Sequence, residues 1–193
     1  MAANGSLSPK ADIANPAFDL CYAASFNCGG GNVIRILKCL LVLTVGLNGL
    51  FCALNNVANL RQAKDALAYV ISGTGHDTYP HTLFFFSNSS ALHWAALMVA
   101  LVGEFAVGFF GLKGAWDLFA ARNGTAEQFH AAKTAGVWAA GMALLTWFGL
   151  FVTIGGAFFE MWQTSMGAGS QDHAFDFAAI SAITILFVYL TDD

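Results

Sequence analysis

Four stretches of this chain are long and apolar enough to cross a lipid bilayer, and that feature limits its fold more than any other. A crossing helix needs about 20 predominantly apolar residues. The first candidate runs from about Val33 to Asn56, the second from about Ala91 to Leu112, and the third from about Thr134 to Phe159. The fourth, about Ala174 to Leu190, is short and carries Asp176 near its start, so a partly re-entrant path is an alternative there. In hydrocarbon every backbone donor needs an internal partner, so such runs fold as helices. The expected class is all-α: an integral membrane four-helix bundle with a long outer loop, Val57 to Ser90, between spans one and two. Composition agrees, because the 193 residues are 57% hydrophobic and only 10% charged, where a soluble domain is about a quarter charged.

Basic residues set the expected orientation. Lys10, Arg35, Lys38, Lys113, Arg122 and Lys133 fall on the side shared by both termini, and only Arg61 and Lys64 fall on the other. That asymmetry places both termini in the cytoplasm, and helical spans suit a bacterial inner membrane. Residues 1–32 are then a cytoplasmic N-terminal tail and 33–190 the four-span domain. Trp94 and Trp162 are expected near the outer interface, Trp116 and Tyr189 near the inner one, and Trp138 and Trp147 between helices. Within the outer loop, Leu60, Leu67, Val70 and Ile71 make one amphipathic face, which Gly73, Gly75 and Pro80 then break. The run 87-SNSS-90 reads as the cap of span two. Eight Lys and Arg and a net charge of -4 leave no nucleic-acid footprint.

The chemistry-bearing residues are few. Glu104 stands alone in 97-LMVALVGEFAVGFFG-111. A charge at the bilayer centre costs about 2.5–3.5 kcal/mol, so Glu104 is expected to face the bundle interior beside a partner. His93, Ala100 and Glu104 share one helix face, and Gly103, Gly108 and Gly111 let a neighbour approach closely. Span one offers that neighbour, with Asn48, Cys52, Asn55 and Asn59 at helical spacing and Asn56 beside them. Two readings follow: a proton or ion relay, or polar ligand site, built from Glu104, His93, Asn48, Asn55 and Asn56, or a protonated carboxyl that fixes helix register.

His76, His81, His93 and His173 fall on the outer side with Asp77, Glu160 and Asp172. His76, His81 and His173 are the candidate metal ligands, but their spacing matches no compact motif and no metal site is expected. His93 and His130 lie at opposite faces and cannot ligate one haem, so no cofactor is expected. Cys39 and Cys52 behave as small apolar residues within span one, and Cys21 and Cys28 make no CxxC. No nucleophile–base pair, phosphate-cradling loop or HExxH is present, which argues against an enzyme.

Several pieces form a pattern together: 42-VLTVGLNGLFCALNN-56, 91-ALHWAALMVALVGEFAVGFFGLKGAWDL-118, 129-FHAAKTAG-136 and 154-IGGAFFEMWQTS-165. In order and spacing they resemble a bacterial family of predicted small integral membrane proteins, domain of unknown function 2165. The Asn-Asn pair, the Leu-His opening of span two, Glu104 and Met-Trp-Gln after span three carry the likeness. The family pattern often has Glu and Trp after the Gly-Gly of span three, where this chain has Ala157 and Phe158. It often has Arg near the start of span four, where this chain has Asp176. The resemblance implies four spans and membrane residence, and no activity.

The expected partners are the lipid bilayer and either a membrane-protein partner or further copies of the chain. The first functional expectation is an accessory or structural subunit of a larger membrane complex. Its alternative is a small ion- or proton-coupled transporter or channel using Glu104 and the asparagines of span one.

Overall fold

The structure, a computed structural model, describes residues 16–192, with side chains from Gly31 onward. Residues 1–15 of the expected tail, and the side chains of Cys21 and Cys28, lie outside the described residues. The described chain is helical, without strands: α1 (Pro16–Ala58), α2 (Leu60–Ile71), α3 (Ser90–Ala121), α4 (Ala126–Ala131), α5 (Thr134–Ala143) and α6 (Ser165–Tyr189). Helix α5 runs straight into a wide helical segment, Leu144–Phe158, whose hydrogen bonds reach back five residues, as in Phe159 N–H to Ile154 O at 3.0 Å. Four lengths suffice to cross a membrane: Gly31–Ala58, Ser90–Ala121, Ala126–Phe158 and Ser165–Tyr189.

The fourth span is longer than its sequence suggests. It starts at Ser165, where the Thr164 hydroxyl accepts from Gly167 N–H at 3.0 Å, and it continues unbroken for 25 residues. Asp172, His173 and Asp176 do not break it because all three lie on its exposed side. A re-entrant path is excluded by that continuity. The connection between spans one and two is likewise no bare loop. Its first part is α2, whose Val70 and Ile71 are buried against the bundle. Helix α2 ends where Gly73 and Gly75 take φ of 68° and 76°, a left-handed backbone that glycine adopts without penalty. The rest is stitched down by Ser87 N–H to Ile71 O at 2.9 Å and by Gln163, whose side chain binds both Tyr79 N–H and Tyr79 O. Ser89 caps α3 as the SNSS run predicted, accepting from Leu92 N–H.

Helix α3 is the hub. It packs along α1 on one side and α5 on the other, while α6 lies on α5 and the wide segment. Glycines make both of these seams close: a Cβ on Gly46 of α1 would sit 2.8 Å from the Gly111 backbone of α3, and one on Gly114 of α3 would overlap the backbone of Gly136 in α5. Lipid tails are as apolar as leucine, so this intimate van der Waals contact, rather than water exclusion, holds the helices together. Trp147 is buried between helices as expected, but Trp138 is not. It is 58% exposed and stacks on Phe110 with ring centroids 6.2 Å apart, on the lipid-facing surface. An aromatic in mid-span gains as much from lipid as from a neighbouring helix, so depth alone does not predict burial.

Candidate functional site

The packing that begins tight at the end holding both α4 and the end of α6 loosens toward the α2 end. Helix α5 follows α3 closely, but the wide segment that continues it touches α3 far less. Between them, and flanked by α1, α2 and α6, lies a cavity of about 570 Å³. Ligand pockets typically fall between about 300 and 1,000 Å³. Small residues leave the space: Ala63 and Ala66 of α2, Ala96 and Ala100 of α3, Gly155 of the wide segment and Ala174 of α6. Trp147, Leu150, Phe151 and Ile154 of the wide segment supply one wall. Wide helical turns are frequent at functional sites, since they move side chains off the regular helical faces. Val99 and Ile154 are well exposed at one rim, and Met166, Ser170 and His173 at another, so the cavity reaches the outside of the bundle at both places.

Its deep end is polar. Asn56 Nδ2 donates to both carboxyl oxygens of Glu104, at 3.0 Å to Oε1 and 2.9 Å to Oε2, with Cys52 one turn away on α1. Glu104 is 2% exposed and sits midway along α3. One amide nitrogen reaches both oxygens, and each oxygen keeps a lone pair free for a further donor. Beneath this pair the Gly49–Val107 and Gly46–Gly111 contacts close the α1–α3 interface.

The sequence-predicted residues are therefore divided. Glu104 and Asn56 meet; Asn48 is half-buried on α1 away from the cavity lining, and Asn55 and Asn59 are exposed, with Asn59 Nδ2 bonded to Asn55 O at 2.9 Å. Helical spacing from Cys52 permits Asn55 or Asn56 on the same face, and the crossing of α1 and α3 selects Asn56. His93 shares the buried face of α3 with Glu104 but lies three turns away, about 16 Å along the axis. Its Nε2 meets Ser87 O at 2.9 Å, tying the connection to the start of α3.

The histidines expected on the outer side do not assemble. His173 is exposed on α6 and His81 on the connection, whereas His76 is buried edge-on against Phe86 at 5.3 Å. Among the described residues no group of three His, Cys, Asp or Glu is placed to hold a metal ion.

A second polar cluster, at the opposite end, escaped sequence reasoning. Lys38 and Lys133, 1% and 2% exposed, grip Asp192 from both sides. Each lysine also donates to Leu190 O, both at 2.7 Å, so the two cations satisfy the carbonyl end of α6. Arg35 does the same for α3, donating to Arg122 O at 3.0 Å and Gly124 O at 2.7 Å while lying over the Phe129 ring. Burial pushes the Asp192 carboxyl up, but the hydrogen bonds and charges of Lys133 and Lys38 outweigh it and hold the group below its ordinary range. A usable signal existed: Arg35 and Lys38 sit in an otherwise apolar run, and an acid follows the last span at the same membrane level.

No curated protein and no solved structure matches the chain. One family does, described as predicted small integral membrane protein (DUF2165), over residues 34–191. That interval takes in spans two to four, span one but for its first three residues, Glu104, Asn56 and the two lysines, and the chain belongs to the DUF2165 family of small integral membrane proteins.

Proposed function

We propose that this protein is a membrane-embedded binding protein, holding a small apolar molecule with one polar group in the cavity that ends at Glu104 and Asn56. The observation that carries the proposal is a roomy, apolar, side-opening space whose inner end bears the Glu104 carboxyl group paired with Asn56. Nothing about structural support alone calls for such a space; a scaffold would gain from filling it. The positive-inside asymmetry favours a cytoplasmic α4 end, with the cavity in the outer half of the membrane. The glycine contacts beneath Glu104 favour a blind cavity over a conducting path. A chain with no catalytic constellation that binds a small molecule fits an accessory subunit that presents it to a partner.

Filling the space is the direct test. Ala100 is 6% exposed and lines the cavity, so Ala100→Phe should occupy it. Organic extraction of purified wild-type protein, read by mass spectrometry, is expected to yield a small amphipathic molecule that folded Ala100→Phe lacks. Identical extracts from the two proteins would sink the proposal.

A further inference from the structure

Resting on that reading, we infer that the cavity selects an amphipathic amine: a single alkyl chain or small ring body carrying one ammonium group that pairs with Glu104. The charge of the lining argues for it. Glu104 is the one acid among the residues around the cavity, and no lysine or arginine is among them; His173 stands at the rim and is exposed. Asn56 turns its amide nitrogen to the carboxylate, leaving Glu104 an acceptor with lone pairs to spare. A charge on Glu104 would be costly until it met an opposite charge in good geometry, and the described lining provides none. A ligand ammonium supplies it.

The walls suit the same class. The rings of Trp147, Phe151 and Phe177 line the cavity, and aromatic faces attract cations that have left water. A space of about 570 Å³ accepts one chain or a compact body rather than the two acyl chains of a phospholipid. A phospholipid would also bring a phosphate, for which the lining holds no basic partner. The amine is therefore a free amphipath rather than a lipid headgroup.

Three probes separate the possibilities: dodecylamine, dodecanol and phosphatidylethanolamine, each titrated against the full chain with one-to-one adducts counted by native mass spectrometry. Wild type is expected to bind dodecylamine at least tenfold more tightly than dodecanol and to show no specific phosphatidylethanolamine adduct. Glu104→Gln should bind the two single-chain probes equally. Glu104→Asp, which keeps the charge, should restore the preference, and Ala100→Phe should lose both. Equal binding of amine and alcohol by wild type would overturn the amine assignment while leaving the cavity reading intact. Stronger binding of phosphatidylethanolamine than of the amine would overturn it in favour of a lipid headgroup. Binding of neither single-chain probe by wild type would remove the binding proposal itself. Because the wild-type comparison needs no substitution, a poorly folding Glu104→Gln does not block the test.

Discussion

Replacing Asp192 with alanine is expected to lower stability by about 2–4 kcal/mol, measured as loss of unfolding free energy in a mild detergent. The substitution leaves Lys38 and Lys133 facing each other, both almost wholly buried, with only the Leu190 carbonyl between them. Breaking a buried pair by removing one partner costs about 3–5 kcal/mol in general; the lower value reflects long lysine stems that can bend toward the interface. The double variant Lys133→Met with Asp192→Leu should recover much of the loss, since an apolar replacement of matched volume leaves a single cation to satisfy. The same ion pair predicts the acid response. A carboxyl held below its ordinary value in the folded state contributes stability above the unfolded pKa of about 3.9, and that contribution vanishes as pH falls through the folded value. The difference in stability between wild type and Asp192→Asn should therefore be constant from about pH 8 to about pH 5 and shrink below about pH 4. A difference that grew on acidification would remove the ion pair as its cause.

The same change of glycine to alanine should have opposite effects at two positions. At Gly111 a methyl group would overlap the Gly46 backbone, so α1 and α3 must separate along their whole seam; we expect a loss of about 3 kcal/mol. At Gly141, inside α5, a methyl group meets nothing within 4 Å. There the substitution removes backbone freedom from the unfolded chain and should gain about 0.5–1 kcal/mol. Thermal unfolding of both variants in one detergent checks the pair, and similar melting temperatures would mean that the α1–α3 contact is not backbone-tight.

These expectations also show where the sequence was informative. Span number and helical class were legible because they depend on run length and composition, which a single chain displays directly. Glu104 was legible as an interior group because an isolated charge in an apolar run has nowhere else to go. Asn56 was among its candidate partners together with Asn48 and Asn55, and the choice among them was not legible because α1 alone does not reveal the angle at which α3 crosses it. The cavity was hidden for a related reason. Ala63, Ala100 and Ala174 come from three separate helices, and LLTWFGLFVTIGGAF carries no proline or polar break to announce a wider helix. The fourth span was shortened because Asp172 and Asp176 count against hydropathy even where they face outward. Lys38 and Lys133 counted only toward orientation, and their pairing with Asp192 depends on a fold that brings both lysines beside the end of α6.

The contact of Gly46 with Gly111 has a further consequence for how such a protein can change over generations. It sets backbone-tight packing between α1 and α3, while Ala63, Ala66, Ala96, Ala100 and Ala174 each border the unfilled cavity. Substitutions that enlarge, shrink or recharge the cavity therefore cost little stability, and proteins near a stability threshold diverge most readily where changes are cheap. A lineage built on this plan can exchange one small molecule for another without rebuilding its scaffold. Relatives should accordingly differ most around the positions of Ala96, Ala100 and Phe151 and agree around Gly46, Gly111 and Gly114.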